Sequence, residues 1–129
     1  MNLSNNLISE IENLDDLASL KELNLSANHI KEIKGLSRLK NLEVLNLGIR
    51  KEKLYEQGHG TDYNSDQKSN VIIEIKNLEN LQKLRFLNLS GNHIQEIKNL
   101  NHLDLEDLRE MGKSPMLLFY LPSVEHLLK

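Results

Sequence analysis

The sequence predicts an α/β fold built as a solenoid, in which short parallel strands alternate with tight 3₁₀ or short helical returns. An Asn-x-Ile-x-x-Ile-x-x-Leu-x-x-Leu segment starts at Asn6, Asn28, Asn70 and Asn92 within the 129 residues. Leucine occupies 27 positions and isoleucine 10, whereas five residues are aromatic, so the core must be aliphatic. Self-similarity at a fixed period of about 20 residues or more is typical of stacked structural repeats.

A Leu-x-Leu segment upstream of the asparagine predicts the strand of each repeat. Successive strand residues point to opposite faces of a sheet, so both leucines of the pair face inward. The three-residue spacing of the apolar positions after the asparagine suits a tight turn or 3₁₀ segment better than a full α-helix. The predicted inward pairs are Leu23 and Leu25, Leu45 and Leu47, and Leu87 and Leu89, and Leu3 belongs to a partial first copy.

One repeat contains a 20-residue insertion. Asn28 and Asn70 are 42 residues apart, whereas the other neighbouring asparagines of the series are 22 residues apart. The extra residues, near 51–69, are rich in Gly, Asp, Asn, Ser and charged residues, which predicts a loop. Long loops in compact arrays are either functional or disordered, and both readings stay open. If the loop binds a partner, the expected contact residues are Tyr55, His59 and Tyr63.

The recurring asparagines are predicted to be structural. An asparagine side chain offers two donors and one acceptor, so at a turn it satisfies backbone groups of its own repeat and of the next one. This role is assigned to Asn6, Asn28, Asn70 and Asn92.

The motif LxxLxLxxNxI resembles the signature of leucine-rich repeat proteins. The 22-residue continuation resembles the class typified by the regulatory subunit of protein phosphatase 1, over roughly residues 1–105. The resemblance implies a right-handed leucine-rich repeat solenoid with its strands on the concave face and its returns on the convex face. It also implies an interaction scaffold, since the class includes a spliceosomal protein, a dynein light chain and tubulin-folding cofactors.

The repeat pattern stops after Leu103, and residues 104–129 are expected to form a C-terminal cap on a single domain spanning 1–129. Residues 104–111 have the charge and apolar spacing of a short helix, and residues 119–127 resemble the cap of this repeat class. Nothing in the sequence precedes Leu3 to cover the first repeat. We therefore expect a fragment of a longer array, a first repeat covered by a partner or by a second copy, or an edge that frays.

Repeat phase places two rows of strand residues on the sheet face opposite the core. Phe86 and Val44 share one row, and an outward aromatic ring in a chain so poor in aromatics predicts an anchor for a partner. As an alternative, the inserted loop covers Phe86. For the row of asparagines, the alternative is that Leu-Asn-Leu is simply a common sequence in such repeats and has no binding role. The expected contact residues are Glu22, Val44 and Phe86 in the first row, and Asn24, Asn46 and Asn88 in the second.

The composition argues against catalysis. The chain has no cysteine, and the HExxH, GxSxG and GxxxxGK motifs are all missing, so we expect no enzyme activity, no cofactor and no metal. The net charge of -3 is spread along the chain, which argues against direct nucleic-acid binding, and no apolar run is long enough for a membrane helix. We expect a cytoplasmic protein-binding module. The alternatives are a scaffold subunit of a nucleoprotein or cytoskeletal complex and the recognition part of a larger enzyme.

Overall fold

The computed structural model describes residues 1–48 and 69–103, and the sheet within them is parallel and built from three short strands. These strands are β1 (Glu22–Asn24), β2 (Val44–Asn46) and β3 (Phe86–Asn88), and they lie side by side in the order β1-β2-β3. An isolated parallel bridge between Asn2 and Asn24 extends the pairing to the first repeat. The predicted solenoid is therefore confirmed. Most of the predicted loop and the whole predicted cap lie outside the described residues.

The four repeats form four coils, which we number by their turn asparagines, Asn6, Asn28, Asn70 and Asn92. The strands β1, β2 and β3 belong to the second, third and fourth coils. Each Leu-x-Leu pair is buried against the pair of a neighbouring coil, as the alternation predicts. The resulting core is continuous and aliphatic, and it includes Leu23, Leu25, Leu45, Leu47, Leu87 and Leu89.

The returns of the coils are tight turns. In the second coil the Leu39 amide donates to the Leu36 carbonyl at 3.0 Å, and the Leu42 amide donates to the Leu39 carbonyl at 3.0 Å. The same three-residue bonding recurs in the other coils, and the described residues contain no helix. One leucine per three residues therefore points inward, which is why the spacing is three and not the 3.6 of an α-helix.

The first coil is the least covered. Leu3, Ile8 and Leu17 are half-buried, whereas their equivalents in the second coil, Leu25, Ile30 and Leu39, are buried. A coil in a solenoid buries its apolar layer only against its neighbours, and among the described residues the first coil has a neighbour on one side.

Candidate interaction surface

The turn asparagines form a hydrogen-bonded ladder that ties each coil to the one before it. Asn28 is buried; its Nδ2 donates to the carbonyls of Leu25 in its own coil and Leu3 in the preceding coil, each at 3.0 Å. Its Oδ1 accepts from the amide of Ile8 at 3.1 Å. Asn92 repeats the pattern in the fourth coil, although its side chain is only half-buried. Both side chains therefore make the bonds to their own coil and to the preceding coil that a structural role requires.

The ladder continues across the insertion. Asn70 is fully buried, its Nδ2 donates to the carbonyls of Leu25 and Leu47 at 2.9 Å, and its Oδ1 accepts from the Ile30 amide at 2.9 Å. These partners are the ones that a 22-residue repeat without an insertion would supply. Ser69, placed in the predicted loop, already belongs to the array, because its Oγ donates to the Gly91 carbonyl at 2.6 Å.

Asn6 has the same position in the first coil but a smaller role. Its side chain is exposed, and its Nδ2 donates to the carbonyls of Leu3 and Ser4 within its own coil. It therefore joins no second coil through its side chain.

A second row of asparagines, missed by the sequence analysis, lies seven residues after the first. Asn77 Nδ2 donates to the Ile33 carbonyl at 2.8 Å, and Asn99 Nδ2 donates to the Ile75 carbonyl at 2.7 Å. Both residues have a positive φ, near 60°, which asparagine tolerates better than most residues. Gly35 takes this position in the second coil, where a Cβ would overlap the carbonyl oxygen of Ile11. The constant seven-residue offset was the available signal.

The first row of predicted contact residues lies in the predicted register. Glu22 pairs with Val44, and Val44 pairs with Phe86, so the three side chains line up across the sheet. Glu22 is exposed, whereas Val44 and Phe86 are partly exposed. Phe86 keeps part of its surface exposed while the flanking leucines are buried, as its outward position in the repeat predicts, and its ring also packs against the edge of the aliphatic core. We refer to Glu22, Val44 and Phe86 as the outer row.

The asparagine row is in register too, but the expectation that it is exposed is wrong. Asn24 is half-buried, and Asn46 and Asn88 are 7% and 0% exposed. Asn46 Oδ1 accepts from the Gly48 amide at 3.1 Å and from Asn88 Nδ2 at 3.0 Å. Asparagine side chains readily bond to the backbone two residues further on, and this local bond turns the row into an internal polar spine.

The residues two positions after the asparagines of this row, Ser26, Gly48 and Ser90, form a third row, which shows why a glycine follows β2. Ser26 and Ser90 are buried, and each hydroxyl donates to the Oδ1 of the asparagine two residues earlier. Gly48 is their equivalent in the third coil, and a Cβ on it would lie 2.7 Å from Ser90 Oγ and 2.5 Å from Asn88 Oδ1. The hydroxyl of Ser90 therefore fits beside the third coil only because Gly48 has no side chain.

Ion pairs connect successive coils on another face. Lys76 Nζ lies 2.9 Å from Glu32, and Lys98 Nζ lies 2.9 Å from Glu74, one coil apart in each case. Hydrogen bonding to the lysine ammonium lowers the pKa of Glu32 and of Glu74, and the same bonds raise the pKa of Lys76 and of Lys98. These side chains are already paired within the array, which leaves them less available to a partner.

Two further properties limit the chemistry of the described coils. Residues 1–48 and 69–103 contain no cluster of histidine and acidic side chains that would hold a metal ion. Within residues 1–48 and 69–103, no helix is long and apolar enough to cross a membrane. His29 and His93, which the repeat places at equivalent positions, are both exposed and lie two coils apart, in the second and fourth coils. The expected loop contacts Tyr55, His59 and Tyr63 lie outside the described residues.

Comparison with known proteins agrees with this geometry. A family model described as leucine-rich repeats in two copies matches residues 18–54. The chain is similar to the crystal structure of internalin C2 from Listeria monocytogenes, with 23% identity and a TM-score of 0.59 over 85% of this chain and 46% of that one. An internalin (inlF) from the same species has 24% identity and a TM-score of 0.49, over 83% of this chain and 30% of that one.

A search of curated proteins finds no match. The chain spans less than half the length of the internalin C2 chain. The family model and that structure together show a leucine-rich repeat solenoid, and at this level of identity the likeness extends to the fold alone.

Proposed function

We propose that this leucine-rich repeat solenoid is a non-enzymatic module that binds a protein partner on the concave sheet face, centred on the outer row. Leucine-rich repeat domains generally mediate protein–protein interactions. The observation that carries the proposal is Phe86, an aromatic side chain that keeps solvent access on a strand whose inward positions are already filled. Partly exposed aromatic side chains are frequent anchors of protein interfaces.

The surroundings of Phe86 have the mixed chemistry of an interface. Val44 adds apolar surface one strand away, and the carboxylate of Glu22 lies one strand further. Arg85 Nε lies 3.2 Å from Glu43 Oε1, so a charged pair borders the row at its edge. An apolar centre with a polar border is the usual arrangement of a protein-binding patch.

The partner-contact role of Asn24, Asn46 and Asn88 stays a prediction, weakened by the internal bonds of these side chains. The roles of Tyr55, His59 and Tyr63 stay predictions as well. The 22-residue period supports the class typified by the phosphatase regulatory subunit, and the composition supports a cytoplasmic location.

Two alternatives use the same surface. As a scaffold subunit of a nucleoprotein or cytoskeletal complex, the chain would still reach nucleic acid through a protein, because the net charge of -3 disfavours direct phosphate contact. As the recognition part of a larger enzyme, it would be joined to a catalytic domain. Strong salt dependence of binding would indicate direct phosphate contact and would contradict both the proposed module and the protein-mediated scaffold role. The length of the native gene tests the enzyme alternative.

The test compares Phe86→Ala with the core change Leu87→Ala on the neighbouring residue. Wild type and Phe86→Ala are used as baits in pull-downs from the native cell, quantified by mass spectrometry. The expected result is at least one partner whose affinity for Phe86→Ala falls by about 1 kcal/mol or more. Its unfolding free energy should fall by clearly less than the roughly 2 to 5 kcal/mol expected for Leu87→Ala.

Two outcomes would contradict the proposal. One is a Phe86→Ala variant that is as destabilised as Leu87→Ala yet binds normally when folded, which would make Phe86 a core residue. The other is a set of partners retained equally by wild type and by a folded Phe86→Ala variant.

A further inference from the structure

A second exposed surface is formed by the residues that directly follow the turn asparagines in sequence. None of these residues belongs to the outer row. In each coil the first and third residues after the asparagine point away from the core, because the second is the inward isoleucine. In the second and fourth coils these outward positions are polar, with His29 and Lys31 in one and His93 and Gln95 in the other. The third coil is apolar at both positions, with Val71 and Ile73, whereas the first coil has Leu7 and Ser9 there.

Within residues 1–48 and 69–103, packing gives no reason for these two apolar residues. The inward residue between them, Ile72, is fully buried, as is Ile75, so the third coil already fills its share of the core. Val71 is half-buried and Ile73 is 65% exposed. A partner that covers these two neighbouring side chains would remove apolar surface from water, which is favourable.

The same residues line a hollow on this flank. Its volume is about 430 Å³, and its walls are Lys31, Val71, Ile73, His93 and Gln95. The hollow is therefore floored by the two apolar side chains of the third coil and bordered by the polar side chains of the coils on either side. Its size suits one or two side chains of a bound segment.

The border of the hollow is cationic. Lys31 has no ion-pair partner within the ranges that the structure describes, and no acidic side chain lines the hollow. The neighbouring carboxylates of Glu32 and Glu74 are 2.9 Å from lysine ammonium groups of the next coil. Within the described coils, therefore, no carboxylate lies within ion-pair distance of the Lys31 ammonium.

We propose that this hollow is a second docking site, which takes a protein segment carrying a large aliphatic or aromatic side chain next to a carboxylate. The apolar side chain covers Val71 and Ile73, and the carboxylate accepts from the ammonium of Lys31. Charge complementarity selects this occupant over a basic or purely apolar segment. The site is separate from the outer row, so one chain has two surfaces for protein partners.

The fourth coil supplies the design of the test variant. The double change Val71→His and Ile73→Gln gives the third coil the residues that the fourth coil has at the same positions, His93 and Gln95. Because both positions are outward and polar in neighbouring coils, this variant should keep the wild-type urea midpoint. Lys31→Glu reverses the charge at the border, and Phe86→Ala removes the anchor of the outer row.

The experiment selects a random heptapeptide library displayed on phage against the full chain. We expect peptides in which Leu, Ile or Phe stands beside Asp or Glu. For a synthetic copy of such a peptide, the Kd should rise about tenfold or more with the double change and with Lys31→Glu, a loss typical of a hot-spot contact. With Phe86→Ala the Kd should change less than about twofold, since the two sites share no residue.

The proposal is overturned if no peptide is enriched, if the enriched peptides have no acidic residue, or if their binding survives the double change. Sedimentation of the chain without peptide adds one more outcome. A dimer that the double change abolishes would identify the occupant as a second copy, and that also contradicts the proposed partner.

Discussion

Removal of the Asn70 side chain tests whether the asparagine ladder holds neighbouring coils together. In Asn70→Ala the Ile30 amide loses the side-chain oxygen that it reaches at 2.9 Å, and the carbonyls of Leu25 and Leu47 each lose one donor. The two carbonyls keep a second donor at 3.0 Å, from Asn28 and Asn92. One buried amide is therefore left without a partner, and two carbonyls are left with a single bond.

The magnitude follows from that distinction. A buried donor without a partner costs about 1 to 3 kcal/mol, whereas a carbonyl that keeps one good bond costs much less. We expect Asn70→Ala to lower the unfolding free energy by about 1 to 3 kcal/mol, mostly through Ile30. Asn6→Ala is the matched control, because Asn6 is exposed and its side chain bonds within one coil, so its loss should cost about 0.5 kcal/mol or less.

Urea unfolding measures the effect through a shift of the midpoint at an unchanged slope. Hydrogen exchange adds a local readout, in which the Ile30 amide of Asn70→Ala should lose protection beyond the global change. Equal midpoints for Asn70→Ala and Asn6→Ala would refute the role assigned to the ladder. If the urea midpoint shifts but the protection of the Ile30 amide does not change, Asn70 stabilises the fold by some means other than its bond to Ile30.

Two further predictions concern the insertion and the ion pairs. Deletion of 49–68 joins Gly48 to Ser69 and restores the 22-residue spacing, so the array should stay folded and cooperative by calorimetry; loss of the transition would mean that the segment belongs to the core. Glu32→Gln with Glu74→Gln should lower the urea midpoint at neutral pH. Since the lysine partners lower the pKa of both carboxyls, their stabilisation is complete above the ordinary glutamate pKa and is lost as the pH falls through the lowered values. The difference between wild type and this variant should therefore vanish in acid, and it should shrink in about 1 M salt, where charges are screened within roughly 3 Å. A difference that persists in acid would contradict the ion-pair explanation.

The repeat made much of the fold predictable because every coil must bury leucines at equivalent positions. Every fourth-coil residue has an equivalent in the second coil, so a register error would expose a whole set of leucines. This is why the pairing of Val44 with Phe86, and the outward position of Phe86, followed from the spacing alone.

The fate of the outward polar residues was less predictable. The position of Asn46 in the repeat identifies the sheet face on which it lies. It does not show whether the side-chain amide extends into solvent or folds back onto the strand. That choice depends on backbone groups of Gly48 and on the side chain of Asn88 in the next coil.

By itself the sequence determined the period, the inward leucines, the turn asparagines and the face of each strand residue, because those properties are local and recur in every coil. Only the tertiary structure decided which outward side chains remain available. Burial of Asn46 and Asn88, the pairing of Glu32 with Lys76, and the hollow around Val71 and Ile73 all arise from side chains of different coils at close distance. Such contacts depend on how neighbouring coils stack and on the size of the side chain at one position in each, and no single repeat contains that information.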